Sequence, residues 1–412
     1  MKKTLLTVLM SSSAILLTAC GSGDDDWSFS GGEQIPVNNI QNPVVNTPAP
    51  YTASSIATAS ESVVMTYKML GVKGTEVQAT ALVFTPKAAA PVGGWPIVVW
   101  AHGTTGVADQ CAPSRSALNA YVQAMIDQFL AAGYVVVAPD YEGLGEPMND
   151  QLHPFLNLKS EGYAITDAVV AARNYLGSKV SKQWMTVGHS QGGHAALGAA
   201  QYAVRANLDY KGTVAVAPAS NLALILTEGE KAAAAEANLN KKIEALASLD
   251  TFTALITAGL RNQNSALQYS QIFKSPTDQI AKNAESDCYD VLGNKFGYAM
   301  GQYAGSNSGS LDNYPRTQPN FMNISSVNNF LKKDTQPLQV KISTPIVIYQ
   351  GELDTTVPKQ VTDILVSSDA AKKSQISYRT SVNWDHGSAY VANLGNIVND
   401  VKGMMPTTTP IP

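Results

Sequence analysis

The pentapeptide at positions 188–192, Gly-His-Ser-Gln-Gly, places a serine between two glycines in the pattern G-x-S-x-G. This pattern is typical of a nucleophile elbow, a tight turn from strand to helix that leaves the serine hydroxyl exposed. Gly188 and Gly192 suit such a turn because they carry no Cβ to crowd the backbone. The pattern is common by chance, but here an apolar run precedes it and an Ala-rich helical pattern follows. We therefore predict that Ser190 is a nucleophile.

A serine nucleophile needs a base to take its proton and a carboxylate to orient that base. His386 lies in the segment Trp-Asp-His-Gly-Ser, after the last predicted strand and before the last predicted helix, and we predict that it is the base. Asp354 lies in the segment that directly follows the apolar run at 345–349, which makes it the best candidate for the acid. Glu352 is the alternative acid, while Asp385 adjoins the base and is badly placed to hold it.

The other four histidines have different expected roles. His189 and His194 lie beside the elbow, and we expect them to be packing or hydrogen-bonded residues. His102 precedes a Gly-rich turn and is expected to be structural. His153 lies on a loop, where it is expected to line the mouth of the site.

The tetrahedral intermediate of acyl transfer needs hydrogen-bond donors aimed at its oxyanion. One donor is expected to be the backbone N–H of Gln191, the residue after the nucleophile. The second is expected from the loop at 101–106, where we select Thr104 and leave Thr105 and Gly106 open. The sequence has no phosphate-binding Gly-rich motif and no metal-binding H-E-x-x-H or paired cysteines, so we predict neither cofactor nor metal.

The N-terminus has the pattern of an export signal. Lys2 and Lys3 precede a mostly apolar stretch at 5–17, which is too short to span a bilayer. The segment Leu-Thr-Ala-Cys-Gly that ends at Gly21 resembles the lipobox of bacterial lipoproteins, which implies acylation of Cys20; an ordinary signal peptide is the alternative. Gly rather than Asp after the cysteine favours the outer membrane of a Gram-negative cell envelope. Residues 20–50, which are small, acidic and Pro-rich, are expected to form a flexible tether.

Composition limits the classes of partner. The chain has 412 residues, a net charge of −4, 45% hydrophobic residues and 15% charged residues. It therefore has no basic excess for nucleic acid and enough apolar residues for a large core. With Cys20 acylated, Cys111 and Cys288 remain, and in an oxidising compartment they form either a disulfide or two separate thiols.

Strand-like and helical patterns alternate along most of the chain. Eight strand-like runs are interrupted between residues 221 and 335, where the chain is Ala-rich and helical and then rich in Gly, Asn, Ser and Tyr. This alternation predicts an α/β fold with a mostly parallel eight-stranded sheet, helices on both faces and a helical cap insertion. We expect a signal peptide at 1–19, a tether at 20–50, a hydrolase-type core at 51–220 and 336–412, and a cap at 221–335.

Over about 60–402 the chain resembles the α/β-hydrolase superfamily, in which the triad also follows the order Ser, Asp, His. Five segments carry a closer resemblance to the secretory lipase family, the fungal lipase A-like group: 102–106, 111–114, 139–145, 153–156 and 188–193. This resemblance implies ester hydrolysis, a helical cap and a disulfide from the oxyanion loop to the cap, which Cys111 and Cys288 can supply. The lipobox is foreign to the fungal enzymes and implies a bacterial lipoprotein.

Two other functions remain open at the level of sequence. The first is a serine exopeptidase of the same fold, in which Glu228, Glu230 or Glu236 of the cap would hold a free amine. The second is a non-catalytic binding lipoprotein on a hydrolase scaffold, although every role of the triad can be filled here.

Overall fold

A nine-stranded sheet forms the centre of the described part of the chain, residues 34–148 and 151–407 of the computed structural model. The strands are β1 (Ala49–Pro50), β2 (Ala59–Leu70), β3 (Glu76–Pro86), β4 (Trp95–Ala101), β5 (Val135–Pro139), β6 (Val180–His189), β7 (Asp209–Val216), β8 (Ile346–Gly351) and β9 (Ile376–Ser381). Their order in the sheet is β1-β2-β3-β5-β4-β6-β7-β8-β9. The pairs β1–β2, β2–β3 and β3–β5 are antiparallel, and the others are parallel.

The prediction of a mostly parallel α/β sheet is confirmed, and the eight longer strands coincide with the predicted runs. All seven residues of β4 are buried, as expected for a parallel strand with both faces covered. The additional strand β1 has only two residues, too few to produce a periodic pattern. The predicted signal peptide 1–19 and Cys20 lie outside the described residues.

Helices pack on both faces of the sheet. The helices are α1 (Ala120–Ala131), α2 (Leu158–Leu176), α3 (Gln191–Gln201), α4 (Leu222–Ala235), α5 (Leu239–Gln263), α6 (Tyr269–Ile272), α7 (Thr277–Ala281), α8 (Tyr289–Ser306), α9 (Ser325–Asn329), α10 (Lys359–Val366), α11 (Asp369–Lys373), α12 (Ser388–Val391) and α13 (Leu394–Met404). On one face, α13 packs against β7 and α1 against β5, while on the other face α3 packs against β7 and α10 against β8.

The first helix begins later than its pattern predicts. Apolar residues at helical spacing over 114–131 predict a helix from residue 114, but α1 starts at Ala120 and a 3-10 turn occupies Pro113–Arg115. The side chain of Asn119 caps the helix by accepting hydrogen bonds from the N–H groups of Tyr121 and Val122. An N-cap residue stays outside the helix, so Asn119 sets the start of α1.

Helices α4–α9 lie between β7 and β8, in the segment where the sequence predicts a cap. They have a hydrophobic cluster that includes Leu226, Leu255 and Phe296, all buried. Helix α5 is long and apolar enough to cross a membrane by length and composition, but 72% of its most apolar window is buried inside the protein. It is therefore the core helix of this insertion.

The segment expected to be the tether is partly attached to the body. The backbone of Pro36 accepts a hydrogen bond from Arg205 Nη1 at 2.8 Å, and Asn38 Nδ2 donates to Asp167 Oδ1 at 2.8 Å. Arg205 and Asp167 also form a buried, two-pronged ion pair. The prediction of a flexible spacer is thus wrong for residues 36–50. The sequence could not show this, because hydrogen bonds between residues so far apart in the chain leave no local pattern.

Candidate active site

The turn that carries Ser190 has the geometry of a nucleophile elbow. Ser190 lies between β6 and α3 with φ 59°, in the left-handed region that side chains rarely adopt. A Cβ on Gly188 would come within 2.0 Å of the Gly192 carbonyl oxygen, and one on Gly192 within 1.9 Å of the Ala101 carbonyl oxygen. Both glycines are therefore required by close backbone packing, and the strained turn holds Ser190 at the carboxyl end of a central strand.

The predicted base and acid are hydrogen-bonded to each other. His386 Nδ1 lies 2.8 Å from Asp354 Oδ2, while Asp354 is 5% exposed. The other carboxylate oxygen, Oδ1, accepts bonds from the N–H groups of Thr356 at 2.9 Å and Val357 at 2.8 Å. These bonds hold the carboxylate in place, and His386 contacts it through Nδ1 rather than Nε2. The alternative acid, Glu352, is exposed.

His189 has a positioning role that the sequence did not predict. Its Nε2 donates to the backbone carbonyl of His386 at 2.8 Å, and the two ring centroids are 4.7 Å apart. Its other neighbour is Tyr390, whose ring stacks at 5.5 Å. Burial, helped by the nearby charge of His386, lowers the pKa of His189 to about 3, so it stays neutral beside the base. The prediction of a hydrogen-bonded residue is correct, and its partner is the backbone of His386, the predicted base.

The two predicted oxyanion donors, Gln191 and Thr104, border the same small cavity as Ser190. Gln191 is the first residue of α3, and a first-turn N–H has no partner within its own helix. Thr104 borders, together with Ser190 and Gln191, a small cavity beneath the cap. The two alternative donors, Thr105 and Gly106, are attached to the cap. The Thr105 carbonyl accepts a hydrogen bond from Tyr289 N at 2.8 Å, and Gly106 pairs with Cys288.

The disulfide between Cys111 and Cys288 is confirmed. It links a 3-10 turn that follows the oxyanion loop to the N-cap of α8, across a sequence separation of 177. A Cβ on Gly106 would come within 2.7 Å of Cys111 Sγ. The loop that supplies Thr104 is therefore held against the cap by a covalent bond and by backbone pairing together.

A buried polar cluster supports the side chain of Gln191. Its Nε2 donates to Glu161 Oε1 at 2.7 Å and to His153 Nε2 at 2.9 Å. The second oxygen of Glu161 lies 2.6 Å from Nδ1 of His194, whose Nε2 donates to the Thr335 carbonyl at 2.8 Å. Glu161, His153 and His194 are fully buried. The cluster thus joins the start of α3 to the end of the cap segment.

The expectation that His153 lines the mouth of the site is wrong. Burial lowers its pKa to about 4, so the ring is neutral, donates from Nδ1 to the Glu142 carbonyl at 2.8 Å and accepts from Gln191. His102 has a structural role, as predicted: its Nδ1 lies 2.7 Å from the carbonyl oxygen of Gly103, and its Nε2 lies 3.1 Å from that of Asp140. Within residues 34–148 and 151–407, no group of three or more His, Cys, Asp and Glu could hold a metal.

Two cavities meet at Ser190. The larger has a volume of about 510 Å³ and is bordered by Ser190, His189 and His386. The smaller has a volume of about 30 Å³, is bordered by Ser190, Gln191 and apolar cap residues, and lies under α4 and α5. The arrangement can place an ester carbonyl at Ser190 with one substituent on either side.

Comparison with known proteins identifies related folds. The family model for secretory lipase matches residues 112–402. The crystal structure of a putative hydrolase from Legionella pneumophila matches with TM-score 0.67 and 20% identity over 87% of this chain and 92% of that one. Candida antarctica lipase A in its closed state matches with TM-score 0.65 and 19% identity over 94% and 89%.

A third structure, the rice cell wall degrading esterase LipA from Xanthomonas oryzae, matches with TM-score 0.63 and 19% identity over 89% of this chain and 98% of that one. No curated protein sequence matches at a significant level. The structural matches confirm the α/β-hydrolase fold.

Proposed function

The chain belongs to the secretory lipase family and is an ester hydrolase of the lipase and esterase type, and from this premise we propose that it cleaves carboxylic esters through an acyl-enzyme on Ser190. The observation that carries the proposal is the hydrogen bond between His386 and the buried Asp354, with His386 bordering the same cavity as Ser190. Base, acid and nucleophile come from three separate loops at the carboxyl edge of the sheet, where this fold places its chemistry.

In the first half-reaction, Ser190 Oγ attacks the ester carbonyl carbon while His386 Nε2 takes the hydroxyl proton. The negative charge on the carbonyl oxygen is stabilised by the N–H groups of Gln191 and Thr104. Asp354 stabilises the imidazolium and keeps its ring oriented. Collapse of the tetrahedral intermediate breaks the bond to the alcohol, which leaves with the proton from His386.

In the second half-reaction, a water molecule attacks the acyl-enzyme and gives its proton to His386. The second tetrahedral intermediate uses the same oxyanion donors and releases the carboxylic acid, and the proton returns to Ser190 Oγ. The neutral state of His189 favours both steps, because a second positive charge 4.7 Å away would oppose protonation of His386.

The proposal is tested by kinetics on p-nitrophenyl acetate with Ser190→Ala, beside the control Ser306→Ala at the exposed end of α8. We expect the first variant to lose turnover by a factor of about 10⁴ or more, and the control to keep it. Undiminished turnover by Ser190→Ala would overturn the mechanism.

The exopeptidase alternative gains no support from the cap carboxylates. Glu228 pairs with Lys231 at 2.7 Å, and Glu230 pairs with Arg316 at 2.7 Å. None of Glu228, Glu230 and Glu236 borders either of the cavities at Ser190, so none is placed to hold the free amine of a peptide there.

For location, we propose a lipid anchor on Cys20 that attaches the enzyme to the cell envelope, with the outer membrane as the expected site. The support is the sequence alone: the basic Lys2 and Lys3, the apolar stretch and the Leu-Thr-Ala-Cys-Gly motif. Mass spectrometry of the N-terminal peptide should find Cys20 as the first residue and acylated in the wild-type protein. An unmodified Cys20, or cleavage elsewhere, would overturn this proposal.

A further inference from the structure

The two cavities at Ser190 differ greatly in volume, about 510 Å³ against about 30 Å³. Both are bordered by Ser190 and Thr104, so both open on the position of the ester carbonyl. His386 borders only the large cavity, and Gln191 borders only the small one. The site is therefore asymmetric, with the base on the large side and an oxyanion donor on the small side.

The position of His386 decides which part of an ester enters which cavity. The leaving alcohol oxygen must lie within hydrogen-bond reach of His386 Nε2, because it receives its proton there. The alcohol group is thereby directed into the large cavity. The acyl substituent points away from the leaving oxygen and enters the small cavity, past Gln191 and beneath the cap.

The small cavity limits the acyl group. Its volume of about 30 Å³ is only two to three times the roughly 10–15 Å³ that a cavity needs to hold one water molecule, so it has room for only a small acyl substituent. Its walls include Leu222 and Leu226 of α4 and Ile256 of α5, which belong to the buried cluster of the cap. A long acyl chain could enter only if these packed side chains moved.

The large cavity suits a bulky apolar group. Its volume of about 510 Å³ lies within the range of about 300–1,000 Å³ for small-molecule sites. Its walls include Leu82, Ile126 and the stacked rings of Trp100 and Tyr390, whose centroids are 5.2 Å apart. Such walls favour an aryl or a long alkyl group over a small polar alcohol.

Resting on the proposed function, we propose that the enzyme selects esters that combine a short acyl group with a bulky apolar alcohol. The substrate class is thus acetyl-type esters of long-chain or aromatic alcohols.

Isomeric esters test this inference, because they have the same atoms and differ only in which side of the carbonyl is large. The first pair is octyl acetate and ethyl octanoate, and the second is 2-phenylethyl acetate and ethyl phenylacetate. We expect kcat/KM to be at least about tenfold higher for the acetate in each pair, since even one misfitting methylene changes kcat/KM by about 10–200-fold. Equal values, or a preference for the long acyl group, would overturn the inference.

Variants of the cavity walls give an independent readout. Leu226 and Ile256 separate the small cavity from a further one deeper in the cap, which both also border. Ile256→Ala should therefore lower the ratio of kcat/KM for octyl acetate over ethyl octanoate by at least about tenfold. The matched control Ile243→Ala, also in α5 but away from both cavities, should leave the ratio as in the wild type. An unchanged ratio for Ile256→Ala would overturn the placement of the acyl group.

The alcohol side is tested at Ala117, an exposed residue that borders the large cavity. Ala117→Trp should lower kcat/KM for 2-phenylethyl acetate more than for ethyl acetate, whereas Ala88→Trp at another exposed position should affect neither. An equal effect on the two acetates would overturn the placement of the alcohol. Turnover of none of the esters, or turnover retained by Ser190→Ala, would instead overturn the proposed function.

Discussion

Removal of the disulfide is expected to impair both stability and catalysis. The bond joins Cys111, near the oxyanion loop, to Cys288 at the start of α8. Next to it, the Thr105 carbonyl accepts from Tyr289 N at 2.8 Å and Gly106 pairs with Cys288. The same contacts therefore attach the cap and hold the loop that carries Thr104, so one perturbation should affect the two properties together.

The magnitude follows from the length of chain that the bond encloses. A sequence separation of 177 corresponds to about 5 kcal/mol of stabilisation in the chain-entropy description of crosslinks. The unfolding entropy of a chain of this size is about 0.8 kcal/mol/K, so the midpoint of thermal unfolding should fall by about 6 °C. Loss of one oxyanion donor lowers kcat by about 10²–10³, and a displaced loop should give a smaller loss, on the order of tenfold.

The assay compares thermal unfolding and kcat for Cys111→Ser/Cys288→Ser with the parent protein, both in a Cys20→Ser background. Treatment of the parent with dithiothreitol should reproduce the effects of the double variant, while the double variant itself should not respond to the reagent. A free-thiol count of two in the untreated parent, or a double variant with the Tm and kcat of the parent, would refute this reasoning.

Three further variants test the site. Asp354→Asn should lower kcat for p-nitrophenyl acetate by about 10⁴ with little change in KM, and Glu352→Gln should keep kcat; comparable activity in the two variants would contradict the choice of acid. Glu161→Ala should lower the free energy of unfolding in urea by about 3–5 kcal/mol, because it leaves buried partners of Glu161 without their acceptor; a loss below about 1 kcal/mol would contradict the role of the cluster. For His153, burial lowers the folded-state pKa to about 4, whereas the unfolded value is about 6.5. The unfolded chain thus binds more protons between these values, and stability is lost as the pH falls through this window, by about 3 kcal/mol. The free energy of unfolding in urea should fall between pH 7 and pH 4 by that much more in the wild type than in His153→Phe. An equal fall in the two proteins would contradict the lowered pKa of His153.

The fold could be predicted from sequence, and the candidate triad residues could be proposed, because their signals are local. Each buried parallel strand is a short apolar run, and the elbow around Ser190 needs its two glycines within five residues. Asp354 and His386 each follow a predicted strand, which places them at the same edge of a parallel sheet. The structure then shows that they are hydrogen-bonded.

The supporting contacts could not be predicted, since they join residues far apart in the chain. Glu161 resembles an ordinary surface carboxylate in sequence, yet it meets Gln191 and His194 about thirty residues later in the buried interior. One available signal was its position in α2, where it lies at helical spacing from the apolar Leu158 and Ile165. The unequal cavities depend on side-chain packing between cap and core, which no local pattern encodes.

The most direct test of the central claim is to trap the covalent intermediate. The enzyme is mixed with p-nitrophenyl acetate, quenched in acid during turnover and digested, and the peptides are analysed by mass spectrometry. The account predicts one acetyl group on the peptide that contains Ser190, located on that serine by fragmentation and absent from Ser190→Ala. An acetyl group on another residue of an active enzyme, or turnover with no covalent acetyl at any time point, would contradict it.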